Sequence, residues 1–589
     1  MIHAPNLSIL WGQLIVEELA RLQCCHMYIA SGSRNTPLTL AAARHPATHL
    51  TLGYDERSLG FCALGHARAT GNPAVIIVTS GTAVANLFPA IMEASQEGIP
   101  LLILTADRPD YLRHSGDNQT VDQIKCFGDT VRWHASLPTP SDTTPARSVL
   151  VTIDKAVAHA NGSHAGPVHL NVPFAKPLHP ATKPFSQQVL AGLSAWQNHQ
   201  APFTQCLRPT QQHDESQLKT IAHALNTASN GLVILGGTAC LKQPTIELLN
   251  RLQWPLFADM PSSGRFVQHP CQIARFDLLL DSCNLLEKYR PDVVLQLGHR
   301  TVSSHLYHFL QKRAGNTHIL VQEQGLPVDA HFGVTHRLQG NICTVVGNML
   351  QHVQPRKTAS RWLAPVQQAS SQIHACIDNV LSQQKKLTEP FIARCIAQHA
   401  DENRALFVGN SMPIRDMTRF ATTSHGFARV GANRGASGID GIVSTACGFC
   451  QALQLPTTLV LGDLSFLHDL SGLSLLSHVK HPMTIVLVNN QGGGIFAFLP
   501  IAQQTKLVCQ NELFAQCWQM KHNFNLGSLC QAFGVQHLQA ATPQDFEQTY
   551  TQALQRKQHT VIEAQVDMQH NLQVQKCIQQ AVKQAVKLA

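Results

Sequence analysis

Residues 457–496 read TTLVLGDLSFLHDLSGLSLLSHVKHPMTIVLVNNQGGGIF. Two short, β-branched apolar runs, TTLVL and MTIVLV, each stop on a polar residue: Asp463 closes the first and Asn490 the second. Nearly unbroken apolar runs of this length are the pattern of strands covered on both faces. Between them, SFLHDLSGLSLLSHV has apolar residues at helical spacing, and Pro482 follows where a helix should have ended. Strand, helix and strand over so short a stretch predict a βαβ unit with parallel pairing. Asp463 and Asn490 then lie at the carboxyl ends of strands, the edge where open α/β sheets bind ligands. A carboxylate, an amide oxygen and a carbonyl from the glycine loop are hard oxygen donors suited to Mg2+, which completes its shell with water and phosphate oxygens. The absence of a Walker lysine excludes a P-loop. The same letters also fit a plain Gly-Asp turn and a loop Asn-Asn, so two readings stand on this stretch alone.

At 589 residues the chain is too long for one core, and two to four domains are expected. Hydrophobic residues at 44% and charged residues at 14% describe a globular enzyme rather than a disordered chain. No apolar stretch approaches the ~20 residues of a membrane span. The opening MIHAPNLSILWGQLIVEELARLQ has an amphipathic helical pattern with acidic residues and no cleavage site, as for a part of the fold. Seventeen cysteines occur singly or in scattered pairs, which predicts reduced thiols and a cytoplasmic home. One pair, Cys447 and Cys450 in CGFC, mimics a redox motif. It lies inside GIVSTACGFCQAL, whose small residues predict a buried packing helix rather than a redox or zinc site. The formal charge of +8 forms no run or stripe, which argues against a nucleic-acid partner.

Two proline-rich or polar breaks, VPFAKPLHPATKPFSQQ at 172–188 and VQPRKTAS at 353–360, divide the chain. Strand runs alternate with helical patterns in all three segments: HMYIASG, THLTLGYDE, PAVIIVTSG and PLLILTADRP; then GLVILGG, DVVLQLG and HILVQEQ; then ALFVGN, the two opening strands and HTVIEAQV. The expected fold is α/β, three consecutive Rossmann-like doubly wound domains with mainly parallel sheets, at 1–185, 205–353 and 375–589. The middle segment has glycine-ended strands but no GxGxxG fingerprint, so its glycines are assigned to turns. In the first segment Glu56 sits just past a strand at a helix start, either as a helix-terminal charge or as a working carboxylate in a cleft. Ser80-Gly81-Thr82 turns a strand into a helix and offers backbone N–H groups to a ligand.

Together these pieces resemble the thiamine diphosphate-dependent decarboxylase family. The strings IASGSRNTPLTLAAA, DERSLGFCALGHA, VTSGTAVANLFPA, LTADRP, GNSMPIRD and NRGASGIDGIVSTA narrow the resemblance to its menaquinone-pathway synthases, along nearly the whole chain. The resemblance implies a pyrimidine-binding, a central and a diphosphate-binding domain, in that order. It implies thiamine diphosphate with Mg2+ (or Mn2+) held by Asp463, the Asn490 side chain and the Gly492 carbonyl. Glu56 would hydrogen-bond the cofactor's pyrimidine and act in its activation. Ser80, Gly81, Thr82, Ile439, Gly462 and Leu464 would complete the cofactor site, with Leu464 standing where the family form Gly-Asp-Gly has its second glycine. The implied reaction removes CO2 from 2-oxoglutarate and adds the remainder to isochorismate. Both substrates are dicarboxylates, for which the planar arginine fork is suited. The matching positions are Ser33, Arg34, Arg108, Asn118, Gln119, Ser411, Arg415 and Arg434, with Ile495, Phe496 and Leu499 as an apolar wall. A homodimer or homotetramer with sites between subunits is implied. Two departures stand out: Ser304 occupies the position of a substrate-binding lysine in many members, with Lys312 no obvious stand-in, and Gly494 replaces a longer polar residue. Competing readings are an acetolactate synthase-like enzyme or simple 2-oxoacid decarboxylase, and a non-catalytic cofactor-binding relative.

Overall fold

The apolar runs become three separate sheets in which every strand pair is parallel. The structure, a computed structural model, describes residues 3–207, 213–239, 241–282, 290–312, 316–421, 425–503 and 511–587. The first sheet contains β1 (His26–Ile29), β2 (His49–Leu52), β3 (Ala74–Val78), β4 (Leu101–Asp107), β5 (Trp133–Ser136) and β6 (Pro167–Pro173), ordered β2-β1-β3-β4-β6-β5. The second contains β7 (Gly231–Leu235), β8 (Leu256–Ala258), β9 (Val293–Leu297), β10 (Thr317–Gln322) and β11 (His336–Gln339), ordered β11-β10-β9-β7-β8. The third contains β12 (Ala405–Val408), β13 (Arg429–Gly431), β14 (Thr457–Gly462), β15 (Met483–Asn489), β16 (Gln536–Ala540) and β17 (Thr560–Gln565), ordered β13-β12-β14-β15-β17-β16. This is the expected three-sheet, doubly wound α/β fold. In each sheet the chain winds first one way and then the other, which creates a switch point: between β1 and β3, β7 and β9, and β12 and β14. Loops diverge there and leave a crevice.

At the middle switch point the backbones of the loops after β7 and β9 approach closely. A Cβ on Gly236 would lie 2.0 Å from the carbonyl oxygen of His299, so that glycine permits a close backbone approach.

Contacts divide the chain into two compact units, Met1–Pro209 with Gly435–Gln454 and His468–Lys480, and Thr210–Arg434 with Leu455–Leu467 and His481–Ala589. In the first unit, helix Glu56–Thr70 packs on helix Ile442–Leu453. Both helices present glycine at the crossing. A Cβ on Gly65 would lie 1.9 Å from the Thr445 oxygen, and one on Gly448 would lie 1.8 Å from the Cys62 oxygen. CGFC is therefore part of a backbone-to-backbone helix contact. Cys447 and Cys450 are fully buried, and burial pushes the Cys447 thiol up, away from the reactive thiolate.

The helix expected between β14 and β15 is broken. An α-helix, Asp463–His468, gives way at Asp469 to a 3-10 stretch, Leu470–His478. The Asp469 carboxylate is buried and accepts from Ser444 N at 2.7 Å, Ser444 Oγ at 2.9 Å and Ser58 Oγ at 3.2 Å. These bonds leave Asp469 at φ −115°, ψ 36°, outside the helical region. Local propensity loses to a tertiary carboxylate site.

Both expected breaks are ordered. The first begins inside β6, and Lys183 N then donates to the Pro5 oxygen at 2.8 Å. The second is tied by Arg356 N to the Arg251 oxygen at 3.0 Å and Ser360 N to the Gln253 oxygen at 3.1 Å. In the second unit, one apolar cluster runs through the helices on both sheets, from Trp254 and Phe257 through Trp362 to Tyr550 and Ile578.

The chain after the first break is latched by acids on two helices, Glu18 on Leu7–Arg21 and Asp154 on Arg147–Ala160. Glu18 accepts from Trp196 Nε1 and from Phe203 N, each at 2.6 Å, and Thr204 N donates to Asp154 Oδ2 at 2.8 Å. Burial, then the neighbouring Asp154, pushes the Glu18 carboxyl up to about 8. A carboxyl with a raised folded-state pKa stabilises most below its unfolded value, and that contribution is lost as pH rises toward 8. Asp154→Asn supplies an amide N–H to Glu18 and keeps an acceptor for Thr204. It should raise the melting temperature at pH 8 by about 2 °C or more and change little at pH 4.5. A difference independent of pH would show that the two acids do not share a proton.

Candidate active site

The expected site residues divide between the two units. In the first unit they line the carboxyl ends of four adjacent strands, β2-β1-β3-β4. Glu56 is the first residue of helix Glu56–Thr70, but the capping is done by Asp55, whose side chain accepts from Arg57 N and Ser58 N. Among the described residues the Glu56 carboxylate is half-buried with no hydrogen-bond or ion-pair partner. Ser33 and Arg34 follow β1. Arg34 is 8% exposed and donates to the Phe174 oxygen at 2.9 Å; burial and the nearby Arg108 lower its pKa.

After β3, Ser80 is buried and Gly81 has φ +85°, a conformation that suits glycine. Ser80 Oγ donates to the Gln119 oxygen at 3.1 Å, and Gln119 Nε2 returns a bond to the Ser80 oxygen at 2.8 Å. Arg108, after β4, donates to Ser80 Oγ and to the Asn118 oxygen, and its Nε lies 3.5 Å from Asp117 Oδ2. Sequence alone gave no reason to choose Asp117, yet it offsets charge at this arginine pair. Thr82, Asn118 and Gln119 are exposed, and Ile439 is half-exposed in a segment of the same unit.

In the second unit the site residues follow β12, β13, β14 and β15, which are also adjacent. Asp463 is the first helical residue after β14 rather than the last of the strand, and is 2% exposed. Its Oδ1 accepts from Leu464 N at 2.7 Å and its Oδ2 from Gly492 N at 2.9 Å. Burial raises its pKa, and these N–H bonds and His522 oppose the rise. His522 was not foreseen. Its Nε2 lies 3.2 Å from Asp463 Oδ2, without hydrogen-bond alignment, and its ring stacks on Phe524.

Asn490, just past β15, donates through Nδ2 to Glu389 Oε1 at 2.8 Å, and its Oδ1 is buried with no hydrogen-bond partner. The loop then turns through Gln491 (φ +61°) and Gly492 (φ +143°), and Gly494 N donates to the Gly492 oxygen at 3.0 Å. The absence of a long side chain at 494 has a packing cause: a Cβ there would lie 2.5 Å from Asn490 Nδ2. Gly462 and Leu464 flank Asp463, while Ile495, Phe496 and Leu499 sit on and beside a 3-10 turn, Gly494–Phe498, partly exposed.

Ser411 caps helix Met412–Phe420 at φ +68°, a strained value for a residue with a Cβ. Arg415 lies on that helix rather than on a loop, and its Nη1 donates to the Ser411 oxygen at 2.5 Å. Arg434 donates to Asn410 Oδ1 at 2.6 Å. Ser304 is exposed at the start of helix Ser304–Gln311, and Lys312 is exposed beyond the far end of that helix. The adjacent His305 is pulled down by burial, but bonds to Asp277 and Asp281 outweigh this and hold its imidazole up near 9. That charge is already matched by two carboxylates.

The donor set suits a hard cation and an anionic ligand. The orphaned Asn490 oxygen and the Asp463 carboxylate are oxygen donors, and among the described residues no group of three or more His, Cys, Asp or Glu is placed to hold a metal. Such a site would be completed by backbone and phosphate oxygens, as Mg2+ prefers.

Three family models match in sequence order. Residues 11–126 match the thiamine pyrophosphate enzyme N-terminal binding domain, 187–408 the middle domain of thiamine pyrophosphate enzymes, and 416–564 the C-terminal binding domain. The chain belongs to the thiamine pyrophosphate enzyme family. Within that family, it is 37% identical over 580 residues to 2-succinyl-5-enolpyruvyl-6-hydroxy-3-cyclohexene-1-carboxylate synthase of Salinibacter ruber, covering 98% of this chain and 96% of the relative. The synthase of the same name from Chlorobaculum tepidum is 38% identical over 575 residues, 97% and 96% of the two chains. Protein PHYLLO, chloroplastic, of Arabidopsis thaliana is 37% identical over 576 residues, which are 92% of this chain and 33% of that longer protein. In this thiamine pyrophosphate enzyme the orphaned Asn490 oxygen and the Asp463 carboxylate fall inside the stretch matched by the C-terminal binding domain.

Gly492 is set by sterics as well as by φ: a Cβ there would lie 2.2 Å from the Gln519 oxygen. Gly492→Ala should cost about 2–3 kcal/mol in chemical denaturation. Gly462→Ala, with nothing within 4 Å of the added carbon, should stay near wild type.

Proposed function

We propose that this chain is a thiamine diphosphate- and Mg2+- (or Mn2+-) dependent transferase of menaquinone biosynthesis. It releases CO2 from 2-oxoglutarate and joins the remaining four-carbon unit to isochorismate by 1,4-addition, forming 2-succinyl-5-enolpyruvyl-6-hydroxy-3-cyclohexene-1-carboxylate. The observation that carries this reading is the near-full-length similarity to relatives bearing that synthase name. No helix among the described residues is long and apolar enough to cross a membrane. A cytoplasmic location and a homodimer or homotetramer complete the reading.

In this assignment the bound thiazolium supplies the electron sink for loss of CO2. The chain supplies position and charge. Asp463, the Asn490 oxygen and the Gly492 carbonyl would hold the cation, whose charge would offset that of the diphosphate. Glu56, whose carboxylate has no protein partner among the described residues, faces the pyrimidine. Its carboxylate would hydrogen-bond a ring nitrogen and so favour one tautomer. Arg34, Arg108, Arg415 and Arg434 hold substrate carboxylates, with Ser33, Asn118, Gln119 and Ser411 as neutral partners. Ser304 offers one hydrogen bond where a cation is usual. The apolar Ile495, Phe496 and Leu499 limit water at the reacting carbon.

The deciding experiment follows the ultraviolet absorbance of isochorismate with purified protein. Loss that requires thiamine diphosphate, Mg2+ and 2-oxoglutarate together supports the synthase. Turnover of pyruvate in preference to 2-oxoglutarate would replace it with a simple 2-oxoacid enzyme. Glu56→Gln should bind metal and cofactor normally while turnover falls roughly 100-fold or more; near-normal turnover would remove Glu56 from its role. Asp463→Ala should weaken thiamine diphosphate binding at least roughly tenfold, and excess Mg2+ should restore it only partly. Unchanged cofactor affinity in a direct titration would take Asp463 out of the cation site.

A further inference from the structure

Asn490 sits on a glycine-rich loop, but its side chain is oriented from elsewhere. Glu389, at the start of helix Glu389–Gln398, is 4% exposed and accepts the Asn490 Nδ2 hydrogen bond at 2.8 Å. A carboxylate accepts and an amide has one donor end and one acceptor end, so Glu389 determines which end of Asn490 faces it. The flipped amide would set two acceptors against each other. The orientation observed leaves Oδ1 on the opposite side, buried and without a partner.

Glu389 is itself braced, at its carboxyl group and at its backbone N–H. Beside its carboxyl group lies that of Asp416, which is 3% exposed on helix Met412–Phe420. Gln575 Nε2 donates to Asp416 Oδ1 at 3.4 Å, and Asn571 Oδ1 accepts from Glu389 N at 3.0 Å. Both belong to the C-terminal helix, Met568–Lys587. A Cβ on Gly494 would lie 2.5 Å from the Asn490 Nδ2, so a side chain there would crowd the amide. Burying two acids is costly and apolar residues would fill the space more cheaply, so their presence here calls for a role other than stability.

We infer that Glu389 is a positioning residue that holds the Asn490 amide with its oxygen turned out to take a divalent cation, and that Asp416 holds Glu389 in place. This rests on the cation site assigned to Asp463 and Asn490 above. Nothing in the local sequence, LTEPFIA, distinguishes this glutamate from an ordinary acid in a helix first turn. Its role comes from burial and from a partner 101 residues away.

The test is binding of Mn2+, in the presence of thiamine diphosphate, followed by electron paramagnetic resonance of free and bound Mn2+ on the full chain. Glu389→Gln can accept from Asn490 and donate to Asp416, and should stay within about threefold of wild type. Glu389→Ala should weaken Mn2+ roughly 10- to 100-fold. Glu389→Asp keeps the charge but falls one methylene short of Asn490; it should also weaken Mn2+, with a metal-free melting temperature near wild type. That variant keeps the question answerable if the alanine variant does not fold. Wild-type affinity in folded Glu389→Ala or Glu389→Asp overturns the positioning role while leaving the cation site standing. Unchanged Mn2+ affinity in Asp463→Ala overturns the cation site, and the positioning role with it.

Discussion

The Asp463 carboxylate ties together the ends of two neighbouring parallel strands, and the geometry of the third sheet's ligand edge depends on it. Its two oxygens accept from the N–H of Leu464, next in the chain, and of Gly492, just beyond the following strand. Those bonds fix the glycine loop relative to the sheet. They require the φ of +143° that Gly492 adopts, and they leave Asn490 where Glu389 can reach it. A carboxylate buried this deeply is expensive unless its lone pairs are used. Backbone donors satisfy part of that demand, and a divalent cation suits the rest.

A second constraint acts in the unit built on the first sheet. Helices Glu56–Thr70 and Ile442–Leu453 approach until glycine on each faces backbone on the other. The same contact explains three sequence features at once. It accounts for the small residues around CGFC, the inert burial of its cysteines, and the run of small residues after Glu56. Asp469 reinforces the arrangement by bonding to both helices, through Ser58 and Ser444, at the cost of the regular helix expected around it. Glu56, at the head of the first helix, is relieved of capping by Asp55.

The charged groups follow one pattern. Where an arginine or acid is buried, a specific partner is found close by: Arg108 with Ser80 and Asp117, Arg434 with Asn410, Glu18 with Asp154, Glu389 with Asp416. These partners hold the side chains in one conformation. His305 shows the converse. It is a cation beside Ser304, yet two aspartates already claim its charge.

The sequence by itself determined the three parallel sheets and the strand-end positions of the site residues. Strand runs buried on both faces are long, apolar and bounded by turn residues, and that pattern is local. It also carried the family strings, because cofactor loops are contiguous. β5, β6, β8, β11, β13 and β16 were not read: β5, β11 and β16 are half-exposed and carry little apolar signal, β8 and β13 are three residues long, and the buried β6 runs into the proline-rich break. Neither was the break at Asp469, which a bond to a distant serine imposes. Only the tertiary structure decided which acids brace which ligands. Glu389, Asp416 and His522 look like ordinary polar residues in the chain, and their partners lie far away in sequence. Burial turns an unremarkable side chain into a positioning group, and burial is a property of the assembled fold.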